Sequence, residues 1–308
     1  MLTLRSSSVN PFKLHFLNSF WAIRLLSLAL VFILRRNLHE IDYFSLFYAF
    51  LFSHYLLALG AAGSHIKSLL VDRERYLLLA FLLLLYCGLT LQAIPHLSEA
   101  HILPLLIYFG IHHVFNDVYV LQGTLKNSSH PDYSFLIAAR LALNFSCYLV
   151  VFWQIVFPRG NALALNVQIG YFLLMLSTAA LILALYRARN LLDKAAFFDI
   201  ITFEAIAILV AIFFAGRVSF LDIIFYHLVF WLMYPVRKNI SVQRHLAVKS
   251  LLKNVAWTLV FFLATPAARL GIGFSIPGWL VAANLVGYFH ITSSLVISKL
   301  NPRFLRPA

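Results

Sequence analysis

Charged residues are scarce in this chain of 308 residues: only 11% are Asp, Glu, Lys or Arg, whereas 62% are hydrophobic. Soluble domains carry roughly 25% charged and 45–50% apolar residues. A soluble fold of this size cannot hide so much apolar surface. In lipid the backbone must satisfy its own hydrogen bonds, which leaves only helices or closed barrels. Long unbroken apolar runs favour helices, so the sequence predicts an all-α, polytopic transmembrane bundle.

Cysteines, acids and linkers are also few. Cys87 and Cys147 both fall inside apolar runs, where a disulfide framework is implausible. Only 11 acids oppose 24 basic residues, giving a net charge of +13. The bases stand between apolar segments rather than on one face, so no nucleic-acid partner is expected. No Gly/Ser-rich or Pro-rich linker interrupts the chain, and residues 1–308 are interpreted as one integral membrane domain.

Apolar runs of about 17–25 residues are long enough to cross a bilayer. Ten spans are predicted, near residues 16–34, 42–62, 76–94, 102–123, 134–157, 167–186, 196–215, 219–235, 250–270 and 276–297. Ten spans assign the loops alternately to two sides, and cytoplasmic loops should collect Lys and Arg.

The basic residues support this count with both ends of the chain in the cytoplasm. Most of the 24 Lys and Arg then lie on the cytoplasmic side. The exceptions on the opposite side are Arg35, Arg36, Arg159, Arg217 and Arg269. Arg24 and Arg140 lie within spans, where each is expected to snorkel or to pair with an acid. The predicted location is a bacterial inner membrane, with the lipid bilayer as the main partner and a membrane-protein partner as a further option.

Histidines are the most informative polar residues inside the spans, because an ionisable group in lipid is costly unless it faces the protein interior or a ligand. His54, His112, His227 and His290 lie in the second, fourth, eighth and tenth spans. These spans run in the same direction, so at about 1.5 Å rise per residue the depths of the four agree within roughly 10 Å. The sequence therefore predicts that four imidazoles converge on one point.

Neutral imidazole is the commonest protein metal ligand and suits iron, copper and zinc. Asp117 lies one helical turn after His113, and Glu204 lies midway along the seventh span. Either carboxylate is a candidate metal ligand, catalytic acid or base, or acceptor that orients an imidazole. The competing interpretation is that each histidine only makes an interhelical hydrogen bond.

The motif Ile111-His112-His113-Val114-Phe115-Asn116-Asp117 resembles, distantly, the His-Phe-Gly motif of the Brp/Blh family of membrane carotene dioxygenases, which has an Asp five residues after the His. Phe225-Tyr226-His227 and Tyr288-Phe289-His290 resemble that family's later histidine helices, at similar separations. This sequence departs from the family at two positions: it has Ala58 where the family has an Asp, and Trp231 where the family has a second His. The resemblance implies intramembrane histidines that bind non-haem iron and a carotenoid split with O₂ to yield retinal.

Three classes of function follow. The first is a membrane oxygenase with His54, His112, His227 and His290 as iron ligands. Its substrate would be an apolar small molecule, carotenoid-like or other, that reaches the metal through a tunnel between Phe- and Leu-rich helices. The second is haem binding by two of the histidines. The third is a transporter with a histidine proton relay, or a non-catalytic subunit or scaffold of a larger pigment- or haem-containing complex. Transport is less favoured, because the sequence has no paired helices broken by Gly or Pro in matching halves.

Overall fold

The computed structural model describes residues 19–71, 99–122, 130–156, 161–214, 217–240 and 244–269, together with 287, 290 and 291. This part of the chain is helical and contains no strand. Its helices are α1 (Phe20–Asn37), α2 (Glu40–Val71), α3 (Glu99–Gln122), α4 (Pro131–Val156), α5 (Asn161–Ala188), α6 (Lys194–Phe213), α7 (Phe220–Ile240) and α8 (Arg244–Arg269).

Eight of the ten predicted spans coincide with these helices. The span near 76–94 lies outside the described residues, and so does that near 276–297 except at Gly287, His290 and Ile291. Within the described part of the chain, four helical stretches are long and apolar enough to cross a membrane: Pro131–Phe152, Gln168–Ala188, Lys194–Phe213 and His245–Ala264. Helix α5 carries exposed apolar side chains such as Met175 and Leu176, a surface that suits lipid rather than water.

Local sequence explains where two helices begin. Asp193 precedes α6, and its side chain accepts a hydrogen bond of 2.7 Å from the backbone N–H of Ala196. Ser219 and Asp222 form a reciprocal cap at the start of α7. The Ser219 N–H donates to Asp222 Oδ2 at 2.8 Å, and the Asp222 N–H donates to Ser219 Oγ at 3.2 Å.

Helix α7 packs against α1, α2 and α8. Helix α4 packs against α3, α5 and α6, and α1 also contacts α6. Gly110 allows α3 to approach α4 closely, because a Cβ at this position would overlap the Tyr148 ring. The result is a core between these helices in which α3 and α7 place polar side chains away from the outer surface.

Candidate functional site

The four histidines predicted to converge do lie together, in contact with a fifth, His113. Ring centroids are 4.7 Å apart for His54 and His290, and 5.7 Å apart for His54 and His227. The His112 ring lies 5.1 Å from that of His227 and 5.2 Å from that of His290. These distances bring α2, α3, α7 and the described residues of the last predicted span to one place, which we call the imidazole cluster (His54, His112, His113, His227 and His290).

Two pairs of ring nitrogens in the cluster are at hydrogen-bond distance. His54 Nε2 lies 3.1 Å from His290 Nε2, and His113 Nδ1 lies 3.2 Å from His227 Nδ1. A neutral imidazole has one donor and one acceptor nitrogen, so one member of each pair must present its lone pair to the other if the contact is a hydrogen bond. The same separations also suit two lone pairs directed at a shared cation.

One nitrogen of the cluster has no hydrogen-bond partner among the residues that the structure describes. His227 is only 3% exposed, and its Nε2 atom is buried without such a partner. Leaving a buried polar atom unsatisfied costs about 1–3 kcal/mol. An atom of this kind in an otherwise packed core needs a physical explanation, and a ligand is one.

Aromatic side chains surround the cluster. Phe109 stacks parallel to the His113 ring at 5.8 Å and meets the His227 ring edge to face at 5.5 Å. Tyr226 contacts the other side of His113 at 5.8 Å. These contacts restrict rotation of the imidazoles and keep bulk water from them.

Asn116 is a site residue that the sequence argument did not single out. Its Nδ2 atom lies 2.9 Å from His112 Nε2, one helical turn away on α3. The spacing of four residues was the available signal, since positions i and i+4 share a helix face. Asn116 therefore holds the His112 ring in position.

A second polar group lies directly beside the cluster: the ion-pair network formed by Arg24, Asp117, Arg140 and Glu204. Arg24 pairs with Asp117 through Nη2 and Oδ2, and its Nη1 donates to the Phe203 carbonyl at 2.7 Å. Arg140 Nε donates to Glu204 Oε1 at 2.6 Å. All four side chains are buried, and pairing rather than snorkelling is therefore the outcome for both arginines that the sequence placed within predicted spans.

The two predicted carboxylates differ in their relation to the histidines. Asp117 Oδ2 lies 3.8 Å from His113 Nε2, so this carboxylate joins the ion-pair network to the imidazole cluster. Glu204 is bound instead by Arg140 and by Asn144 Nδ2, which donates to Oε2 at 2.8 Å. Their acid and base roles stay predictions, but only Asp117 is placed beside an imidazole among the described contacts.

The donor atoms are close together without forming a finished metal site. Among the residues that the structure describes, no group of three or more His, Cys, Asp or Glu side chains is arranged to hold a metal ion. The ring spacing itself fits one, because imidazoles bound at about 2.1 Å to a common metal have neighbouring centroids roughly 5 Å apart. The spacing of the imidazole rings therefore suits a shared metal ion, whereas the orientations of the rings in this structure do not.

Comparison with known proteins adds no relative. No family model matches the chain, and neither a curated protein nor a solved structure matches it. The argument about function therefore depends on the site itself.

Proposed function

We propose that the imidazole cluster is an intramembrane centre for non-haem iron, and that the protein uses it to oxidise a lipid-soluble substrate with O₂. The proposed ligands are His54, His112, His227 and His290. The proposed setting is a ten-span, multi-pass protein of a bacterial inner membrane, with both ends in the cytoplasm. The resemblance to the Brp/Blh family favours a carotenoid-like substrate.

The observation that carries the proposal is the unsatisfied Nε2 atom of His227. Imidazoles that served only as interhelical hydrogen-bonding groups would be expected to use both ring nitrogens, since the bilayer core offers no water to replace a missing partner. A metal ion removes the cost because it accepts the lone pair that no protein donor reaches.

Iron suits a ligand set of neutral nitrogens with positions left for other ligands. When bound, it would supply the redox chemistry and the activation of dioxygen. The residues of this chain would bind the metal, orient the ligands and exclude water. Asp117 Oδ2 lies 3.8 Å from His113 Nε2, an electrostatic contact rather than a hydrogen bond, and His113 in turn contacts His227. A carboxylate beside an imidazole favours the tautomer whose N–H faces it.

Haem is the less favoured cofactor on geometric grounds. Two imidazoles that ligate haem iron from opposite faces hold a flat macrocycle between them. Here the close pairs have nitrogens 3.1 and 3.2 Å apart, and the His54 and His290 rings stand nearly perpendicular, at 85°. Such contacts leave no flat gap between the rings of either pair.

Metal analysis of the detergent-purified protein tests the proposal. We expect about one iron per chain, loss of iron in His112→Ala, and retention in His245→Ala, whose side chain is exposed at the start of α8. Visible absorption spectra distinguish haem, which gives a Soret band, from non-haem iron.

A folded, metal-free protein that cannot be reconstituted with iron would contradict the proposal. It would favour the alternatives in which the histidines connect helices in a scaffold subunit or relay protons in a transporter. In both cases His→Asn changes at the four positions would lower stability without any change in metal content.

A further inference from the structure

A small cavity adjoins the imidazole cluster on the His113 side, and we call it the side chamber. It has a volume of about 90 Å³ and lies between α1, α3, α4, α6 and α7. His113 and Asp117 form part of its wall, so it reaches the point where the ion-pair network meets the imidazole cluster.

The wall of the side chamber is mostly apolar but includes several polar side chains. Arg24, Asp117 and Tyr226 lie together at one end. Phe32 and Val218 line the opposite end, two turns along α1 from Arg24 and two turns back along the chain from Tyr226, with Asp222 one turn from Val218. A mainly apolar space therefore adjoins His113.

Most of the polar groups that line the chamber already have protein partners. Arg24 donates to Asp117, to the Phe203 carbonyl and, through Nε, to the Tyr226 hydroxyl at 3.1 Å. Asp222, which also lines the chamber, accepts hydrogen bonds from the Tyr43 hydroxyl and the Ser219 N–H. A buried water needs two to four polar partners. Groups that are bound to one another offer a water molecule little, which favours a dry chamber.

The volume of the side chamber further restricts the kind of ligand that it can hold. Pockets for drug-sized molecules measure roughly 300–1,000 Å³, so the side chamber is too small for a long lipid-soluble substrate. An apolar cavity of about 150 Å³ stays dry and binds benzene or xenon. A space of about 90 Å³ is suited to an apolar molecule of a few atoms.

We propose that the side chamber is a binding site for apolar molecules of the size of dioxygen, which it holds beside His113. This assignment of O₂ rests on the proposed function, whereas the affinity of the chamber for an inert gas does not. The small co-substrate and the bulky substrate would then reach the imidazole cluster by different routes.

Xenon diffraction tests the chamber directly, because xenon is apolar, monatomic and strongly scattering. We expect xenon between Arg24 and Val218 in pressurised crystals of the full chain. Ala211→Leu should remove it, since Ala211 is fully buried and lines the chamber. Ala205→Leu on the same helix is the matched control, because Ala205 is only partly buried and does not line the chamber.

A second variant keeps the test decisive if Ala211→Leu does not fold. Val151→Ala enlarges the chamber and should raise xenon occupancy. Ordered water in place of xenon in the wild-type protein, or occupancy that neither variant changes, would overturn the proposal.

Kinetics then test whether the gas is dioxygen. In iron-loaded protein, Ala211→Leu should raise KM for O₂ several-fold while kcat and iron content stay as in Ala205→Leu. Xenon binding in a protein without iron would leave the chamber intact as a gas site and refute the iron proposal alone. Iron-dependent oxidation without xenon binding would refute the chamber alone.

Discussion

The imidazole cluster and the ion-pair network lie side by side, but their polar atoms are satisfied to different degrees. In the network, both arginines are paired with carboxylates, and further hydrogen bonds run from Arg24 and Arg140 to backbone carbonyls. In the cluster, the two nitrogen–nitrogen contacts join one imidazole to another, and His227 Nε2 has no hydrogen-bond partner among the described residues.

We interpret this as a difference between polar residues that connect helices and polar residues that, in the proposed function, bind a ligand. Two arginines and two carboxylates neutralise one another, so their burial needs no further component. The five imidazoles contain no opposite charges that could pair in this way, and among the described contacts their mutual pairing leaves His227 Nε2 without a hydrogen bond. The predictions below are arranged to disturb first one region and then the other, from the largest effect to the smallest.

The largest effect should come from breaking the ion-pair network at its most buried pair. Glu204→Ala leaves Arg140 as an uncompensated charge, and both side chains are 0% exposed. Breaking a buried pair in this way costs about 3–5 kcal/mol. We expect a matching loss in the free energy of unfolding, measured by reversible unfolding in detergent micelles.

The double variant Arg140→Met/Glu204→Met supplies the control for that change. It removes both charges, so it should be more stable than Glu204→Ala. The loss of stability in the single variant comes from the buried Arg140 charge that has lost its carboxylate partner. Single and double variants of equal stability would show that the pair does not hold the helices together as described.

Removing a proposed metal-binding residue from the imidazole cluster should affect metal binding rather than folding stability. His227→Ala should lower the affinity for iron by about 100-fold, equivalent to about 2.7 kcal/mol, while the protein remains folded. Equilibrium dialysis against a competing chelator measures the affinity, and circular dichroism measures the fold. Unchanged iron binding would exclude His227 as a ligand.

The sequence predicted the helices better than their ends. Helix α2 continues to Val71, beyond the predicted end near 62, because Ser64, His65 and Lys67 lower hydropathy without ending a helix. Hydropathy reports which segments prefer lipid and says little about where the backbone hydrogen bonds stop.

The sequence predicted the common depth of the four histidines along their helices but not the contacts that their rings make. Counting 1.5 Å per residue placed the four histidines at one level, and their rings do lie together. The direction in which each ring points depends on helix rotation, which the sequence does not specify. Arg24 and Asp117 are 93 residues apart, and nothing local to either residue identifies the other as its partner.

A smaller effect is expected where the two regions meet. Asp117→Asn keeps the shape of the side chain but removes its charge, which weakens both its pairing with Arg24 and its orientation of His113. His113 is not itself a proposed ligand but contacts the proposed ligand His227. Loss of a group that directly orients a metal-binding histidine lowers metal affinity by about 10–100-fold, and because Asp117 acts through His113 we expect the lower end of this range. Chelator competition measures it, and an equal loss of stability without any loss of affinity would assign Asp117 to the ion-pair network alone.

The smallest effect serves as a reference for exposed pairs. Arg187 and Asp132 form an ion pair of 2.7 Å at the surface, with the Arg187 side chain 50% exposed. Asp132→Asn should change the free energy of unfolding by about 0.2–1 kcal/mol and should leave iron binding unchanged. A cost as large as that of Glu204→Ala would remove the distinction between buried and exposed pairs on which the comparison depends.

X-ray absorption at the iron edge of the purified wild-type protein tests the central claim most directly. A metal held by the imidazole cluster predicts a nitrogen shell near 2.1 Å, accompanied by the outer-shell scattering that is characteristic of imidazole rings. A spectrum with only oxygen or sulfur neighbours, or a folded protein without an iron edge after reconstitution, would contradict the account.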